Sequence, residues 1–174
     1  MKQQLEKILF RKETHTYAIL DGASIPDLPN KLYEMAPPNL CLYRGKLSPD
    51  LVYTAPYLVH LFPETPFTDW LLTESWGKHW GIFAQSHWSM PRMQKNFRLL
   101  LTVYDDTGKP MLFRFYDPRV LSTFMKSCNE NELKVLFEKV RYYFAELTED
   151  IQLLRFDFTD NKLKETKLKL EVEK

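Results

Sequence analysis

Residues 96–120 read NFRLLLTVYDDTGKPMLFRFYDPRV, and this stretch decides the predicted fold. Leu99–Tyr104 is a continuous apolar run of strand length, and Met111–Tyr116 is a second such run. Between them, Asp105–Pro110 contains the Asp, Gly and Pro residues that are typical of a tight turn. The two runs are therefore predicted to pair as an antiparallel β-hairpin.

The end of the second run carries a charge and a helix start. Arg114 shares one strand face with Leu112 and Tyr116, and burying an arginine there is costly unless a carboxylate or carbonyl groups meet it. Asp117 suits the N-cap of a helix, and Pro118 suits its first position because proline lacks an N–H that would be unpaired there anyway. The sequence therefore predicts a strand, a sharp stop and a capped helix.

These residues also carry a family resemblance. The string Leu112–Leu121, LFRFYDPRVL, closely resembles the signature of the bacterial type VI secretion adaptors, or effector chaperones, whose domain was long catalogued as of unknown function. Three weaker matches follow the family's order along the chain, and together the resemblance covers roughly residues 16–145. The weaker matches are Tyr17–Ala23, Gly81–Phe83 and Phe97–Leu100.

The resemblance implies a binding protein without catalytic activity. Members of that family are cytoplasmic chaperones that recognise a cognate toxic effector, in relatives near its N-terminus, and assist its loading onto the VgrG-type spike. The positions that match the signature one by one are expected to have an architectural role, with partner binding as the alternative. They are Arg114, Tyr116, Asp117, Pro118 and Arg119.

Composition limits the classes of partner. The chain has 174 residues, 44% of them hydrophobic, which is enough for one domain with a sizeable core. Its 24 basic and 23 acidic residues give a net charge of +1, so no overall field favours nucleic acid or an anionic membrane. The N-terminus is too charged for a signal peptide, and no apolar run reaches the ~20 residues of a membrane span. A cytoplasmic location is expected.

Helices and strands alternate from Tyr17 to Arg119, which favours an α/β (α+β mixed) fold. The expected architecture is a central mixed sheet that includes the hairpin, with flanking helices and a smaller C-terminal helical region. The periodicity of the last helix continues as far as Tyr143 and Phe144, although relatives break it near Glu138. The predicted division is an adaptor domain (1–160) followed by a charged tail (161–174). Within the domain we expect an α/β lobe (16–117), a helical subregion (118–147) and a closing strand (148–160). The tail is expected to form either an edge strand or a frayed arm.

The tryptophans are candidates for partner binding. Most of the aromatic residues are expected in the core, but four tryptophans are flanked by prolines and polar residues. Aromatic anchors dominate interface energetics, so these four could line a groove for an apolar peptide. They are Trp70, Trp76, Trp80 and Trp88.

Two other functions stay open at this point. Asp21, Asp117 and a histidine such as His87 could form a small hydrolase site, because paired carboxylates can act as acid and base. A simpler interpretation is that Arg114 pairs with a carboxylate to close the end of the sheet while Asp117 caps a helix. The chain could also be an immunity protein that caps a toxin. Nucleotide, zinc-protease and nucleophile-elbow motifs are absent from the sequence, so no cofactor or metal site is predicted.

Overall fold

The strands of the chain form one large sheet and one separate hairpin. The computed structural model describes residues 1–147 and 151–171, and its strands are β1 (His15–Asp21), β2 (Asn39–Cys41), β3 (Pro56–Leu61), β4 (Gly81–Ser86), β5 (Thr102–Tyr104), β6 (Pro110–Leu112), β7 (Tyr142–Leu147), β8 (Gln152–Thr159) and β9 (Lys162–Lys169). The large sheet has the order β2-β3-β1-β4-β7-β8-β9, and each neighbouring pair is antiparallel. β5 and β6 pair with each other in a second sheet.

Helices cover both faces of the large sheet. They are α1 (Lys2–Leu9), α2 (Leu28–Met35), α3 (Pro49–Thr54), α4 (Pro66–Glu74), α5 (Met90–Leu100), α6 (Pro118–Ser127) and α7 (Glu130–Phe137). Side chains of α5, α6 and α7 join the core on one face, and those of α1, α2 and α4 join the cores on the other. The α+β class is confirmed.

β1 lies at the centre of the sheet and is buried on both sides. Tyr17 and Ile19 belong to the core on one face, and Ala18 and Leu20 to a core on the other. Successive side chains of a strand point to opposite faces, so a strand covered on both sides must be apolar at every position. This explains the uninterrupted run of sequence from Tyr17 to Leu20.

The strand directions differ from the predicted mixed sheet, because the large sheet is antiparallel throughout. β3 and β4 both run antiparallel to β1, which lies between them. The two strands are therefore parallel to each other without being neighbours, and α4 is the crossover that connects them. Alternating helices and strands predict such a crossover, but they do not reveal that β1 lies between β3 and β4 in the sheet.

The predicted hairpin forms, but it is shorter than expected and lies outside the large sheet. Its register pairs Thr102 with Leu112 and Tyr104 with Pro110. The first run begins as helix, because α5 continues through Leu100. Phe97 and Leu101 are buried four residues apart, which is helical spacing, while the intervening Leu99 is exposed. The sequence predicts a strand there because an uninterrupted apolar run contains too few polar residues for their spacing to distinguish a helix from a strand.

The helical subregion is also shorter than predicted. α7 ends at Phe137, and the segment from Tyr142 to Leu147 forms β7 between β4 and β8. Tyr143 and Phe144 are buried on opposite faces of the sheet, which is the alternation of a strand. Because both residues are apolar, they also fit the helical periodicity of the preceding segment, which predicts a longer helix.

The C-terminal part of the described chain completes the sheet. β8 lies within the predicted closing strand, of which residues 148–150 lie outside the described residues. In the predicted tail, Lys162–Lys169 forms the edge strand β9, so the edge-strand alternative is the one observed. Residues 172–174 of the predicted tail lie outside the described part of the chain.

Candidate functional site

Arg114 ties the signature segment to the end of β1. Its guanidinium forms an ion pair with the carboxylate of Asp21, the last residue of that strand. Asp21 also accepts hydrogen bonds from the Ala23 N–H (3.1 Å) and the Ser24 hydroxyl (2.6 Å). The predicted charge pairing is present, although the Asp21 side chain is only 2% exposed and that of Arg114 is 44% exposed. The pair therefore fixes a buried carboxylate with a half-exposed arginine.

The next two signature residues lie in the core. Phe115 is fully buried and stacks on Phe97 of α5, with ring centroids 5.7 Å apart. Tyr116 is also buried, and its burial, together with the negative charge of Asp21, raises the pKa of its phenol well above the ordinary value. These two side chains attach the segment between the hairpin and α6 to the face of the sheet.

Asp117 starts α6 as predicted. Its carboxylate accepts hydrogen bonds from the main-chain N–H of Arg119 (3.0 Å) and from the Arg119 guanidinium (2.7 and 3.0 Å). Burial acts against the charge of Asp117, but the hydrogen bonds from Arg119 outweigh it and lower the pKa of the carboxyl group. Pro118 occupies the first turn and is buried. The signature residues therefore build the structure around the hairpin, and they touch one another or the core.

The hairpin and the last turn of α5 expose a group of apolar side chains that the sequence analysis missed. Leu99 and Tyr104 are each 69% exposed, and Met111 and Leu112 are 45% and 57% exposed. We call these four residues the hairpin patch. They line one side of an open groove of about 650 Å³, whose opposite wall is the segment Leu42–Arg44 after β2. The apolar run Leu99–Tyr104 contains the signal, but the sequence predicts it only as a strand of the hairpin.

Arg98 holds the opposite wall of this groove in place. Its guanidinium donates hydrogen bonds to three successive main-chain carbonyls, those of Cys41, Leu42 and Tyr43, each at 3.0 Å. An arginine can satisfy several carbonyls at once because its donors form a rigid planar fork. The groove is therefore bounded by a fixed loop on one side and by the hairpin on the other.

The four candidate tryptophans do not line a common groove. Trp80 is only 8% exposed and stacks on Trp70, with ring centroids 5.3 Å apart, so this pair contributes to the core. Trp76 packs against the cluster formed by α1 and β7. Trp88 is 38% exposed and lies in the loop after β4, with the guanidinium of Arg92 over its ring at 4.4 Å. Trp88 is the most exposed of the four, while Trp70 and Trp76 are partly buried.

Two of the proposed hydrolase residues, Asp21 and His87, are not brought together. Asp21 ends β1, whereas His87 follows the end of β4, and these two strands are antiparallel with His15 opposite Ser86. Asp21 and His87 therefore lie at opposite ends of the strand pair, ~20 Å apart at the usual rise of a strand. Within residues 1–147 and 151–171, no three His, Cys, Asp or Glu side chains are grouped so that they could hold a metal ion. Among the same residues, no helix has the length and hydrophobicity needed to cross a bilayer.

These features define an α+β domain in which a buried signature segment supports an exposed apolar hairpin. The family model of DUF4123, described as a domain of unknown function, matches residues 16–134, a range that contains both the hairpin and the signature. The match covers more than half of the chain, and the chain belongs to the DUF4123 family. No curated protein and no solved structure matches the sequence.

Proposed function

We propose that the chain is a non-catalytic adaptor that binds a cognate type VI secretion effector and assists its loading onto the VgrG-type spike. Two findings support this function: the membership in DUF4123, a family associated with type VI secretion adaptors, and the FRFYDPRV string that resembles the adaptor signature. The function is one of binding, in which the adaptor covers an effector segment until the spike is assembled.

The observation that carries the proposal is the hairpin patch beside its groove. A folded protein gains nothing from exposing Leu99 and Tyr104 to this extent, because burying apolar surface is worth about 25 cal/mol per Å². A contiguous exposed apolar surface with a concave neighbour is typical of a protein-binding site. The groove of about 650 Å³ would accept several side chains of an effector segment.

The surrounding structure suits a preformed site. Arg98 fixes one wall through three carbonyls, and the buried Phe115 fixes the base of the hairpin. The turn is also ordered, because the Asp105 carboxylate accepts from the N–H groups of Thr107 and Lys109 at 2.9 Å. A preorganised site loses less conformational entropy on binding, so a small patch can bind with useful affinity.

Co-expression with the effector encoded beside the adaptor gene tests this function. The double variant Tyr104→Ser with Met111→Ser should lose the complex on size-exclusion chromatography, and effector export should fall in cells that carry it. Tyr33→Ser is the matched control, because Tyr33 is 86% exposed on α2, outside the groove. The control should bind as the wild type does.

Three results would contradict the proposal. Effector and adaptor would elute separately at micromolar concentration, export would be unchanged when the adaptor gene is deleted, or the double variant would bind normally. Neutralisation of the effector's toxicity without any role in export would instead identify an immunity protein. Hydrolytic activity that depends on Asp21 or Asp117 would return the enzyme alternative.

A further inference from the structure

A second cleft lies at the opposite end of the sheet and is lined mainly by basic side chains. Its volume is about 370 Å³, and it lies where β1 begins, β4 ends and β7 begins. Arg11 and Lys12 reach it from the segment between α1 and β1, His87 from the loop after β4, and Arg141 from the residue before β7. Glu13 is the one acidic residue in its lining.

The cations of this cleft have no carboxylate partners among the described residues. Arg11, Lys12 and Arg141 take part in none of the ion pairs found in residues 1–147 and 151–171. Many other cations are paired, for example Lys2 with Asp69 at 2.7 Å and Lys126 with Glu165 at 3.0 Å. In a chain with a net charge of only +1, this cleft therefore concentrates unpaired cations, which outnumber the single carboxylate of Glu13 in its lining.

An aromatic ring brings the guanidinium groups together. The Tyr142 ring has the guanidinium carbons of Arg11, Arg141 and Arg155 at 5.5, 5.1 and 5.1 Å from its centroid. Cation–π attraction of about 0.5–1 kcal/mol at an exposed site can hold each arginine over the ring. The like charges still repel one another, and a bound anion would relieve that repulsion.

A second cavity, with apolar walls, adjoins the basic cleft, and we call the two together the joined cleft. His87 and Arg141 also line a neighbouring cavity of about 270 Å³, whose apolar walls are Trp88, Phe137 and Phe158. Two further lysines in this second cavity are already neutralised, since Lys134 pairs with Glu130 and Lys139 with Glu138. One half of the joined cleft is therefore basic and the other half is aromatic.

The loop between the two halves is fixed. The Tyr17 hydroxyl donates to the Trp88 carbonyl at 2.8 Å, and the Trp88 N–H donates to the Ser86 hydroxyl at 3.0 Å. The Ser86 hydroxyl in turn donates to the Lys139 carbonyl. These bonds connect the loop to β1 and to the segment before β7, so the positions of His87 and Trp88 are set before any ligand arrives.

We infer that this joined cleft is a docking site for a short protein segment that carries an apolar residue next to several carboxylates. The apolar side chain would contact Trp88 and Phe137, and the carboxylates would face Arg11, Lys12 and Arg141. A nucleic acid is less suitable, because the unpaired cations occupy only half of the cleft and the chain as a whole is nearly neutral. The inference rests on this cleft and not on the proposed adaptor function.

Fluorescence anisotropy with the full chain and labelled synthetic peptides tests the inference. The probe is a short peptide with one phenylalanine followed by three aspartates. Its controls are a peptide with asparagines in place of the aspartates, one with serine in place of the phenylalanine, and a single-stranded DNA of similar length. The probe should bind, each control peptide should bind at least about tenfold more weakly, and the affinity should fall as salt is raised.

Substitutions locate the binding on the protein. Arg11→Glu and Arg141→Glu should each weaken probe binding by about tenfold or more, because each reverses a charge facing the carboxylates. Lys46→Glu makes the same change of net charge at an exposed position outside the cleft and should bind normally. Trp88→Ala should remove the preference for phenylalanine over serine. Thermal melting confirms that each variant is folded.

The outcomes that overturn the inference are specific. Failure of the probe to bind at millimolar concentration would refute it, as would equal binding of the asparagine peptide. Tighter binding of the DNA would reassign the cleft to nucleic acid. Equal loss of binding in Lys46→Glu and Arg141→Glu would show a non-specific charge effect instead of a site.

Discussion

The two ends of β1 use positive charge in opposite ways. At the end where the strand finishes, Arg114 pairs with Asp21, and Arg98 donates to three main-chain carbonyls. At the end where it begins, Arg11 and Arg141 lie over a tyrosine ring and form no ion pair with the described residues. The same residue type therefore holds the fold together at one end and stays available to a ligand at the other.

The difference shows why residue identity alone does not locate a binding site. The signature arginines at the hairpin end are the recognisable ones, yet each is paired within the protein, Arg114 with Asp21 and Arg119 with Asp117. The exposed surface there also contains apolar side chains, namely the hairpin patch. At the opposite end no signature marks the basic cleft, but its charge is uncompensated. The two surfaces differ in chemistry and lie at opposite ends of β1, which is ~20 Å long at the usual rise of a strand.

Arg114→Leu should have the largest effect on stability. The substitution leaves the buried Asp21 carboxylate with hydrogen bonds from Ala23 and Ser24 but without a counter-charge. Breaking a fully buried pair costs about 3–5 kcal/mol and an exposed pair about 0–1 kcal/mol. Because Arg114 is half exposed, we expect a loss of about 1–2 kcal/mol in the free energy of unfolding, measured by urea denaturation.

Two comparisons make the Arg114 experiment decisive. Arg114→Lys should recover part of the loss, because it keeps the charge but not the geometry of the guanidinium. Probe binding at the basic cleft should be unchanged in both variants, since the cleft lies at the other end of the sheet. An unfolding free energy equal to that of the wild type would show that the two local hydrogen bonds suffice for Asp21.

Asp117→Asn should have a smaller effect that depends on pH. Hydrogen bonds and charge from Arg119 hold the pKa of Asp117 below its ordinary value, despite the opposing effect of burial. A carboxyl group whose pKa is lower in the folded state stabilises the fold above the unfolded pKa of about 3.9, and this contribution disappears as pH falls through the folded value. Asparagine is also a good N-cap, so the substitution isolates the charge.

The expected loss for Asp117→Asn is about 0.5–1 kcal/mol at pH 7. The difference from the wild type should diminish below about pH 4 and vanish at lower pH, as both proteins then carry a neutral group. Urea denaturation at a series of pH values measures this difference. A loss that is constant from pH 7 to pH 2 would mean that the charge of Asp117 contributes nothing and that the cap geometry explains the loss.

Sequence reasoning recovers what is encoded locally and misses what depends on distant segments. The turn at Asp105–Pro110 and the cap at Asp117 were predicted correctly, because the chemistry of each is complete within a few residues. The exposure of the patch residue Leu99 was not predicted, since exposure depends on what packs nearby. The basic cleft was not predicted at all. Its residues come from three segments, around Arg11, His87 and Arg141, that only the order of the strands brings together.

Lys12→Gln should have the smallest effect, and its sign should be opposite to that of the others. Lys12 lies among uncompensated cations, so removing its charge should relieve repulsion and raise the free energy of unfolding by a few tenths of a kcal/mol, about 0.2–0.5. The matched control is Lys126→Gln, which removes a lysine paired with Glu165 at 3.0 Å and should lower stability by about 0–1 kcal/mol. Because exposed charges are screened within about 8–10 Å at moderate salt, the gain for Lys12→Gln should disappear at high ionic strength.

Paired urea denaturations at low and high salt measure both variants. A loss of stability for Lys12→Gln at low salt would show that the cleft is electrostatically satisfied in the free protein, and the contrast between the two ends of β1 would then fail.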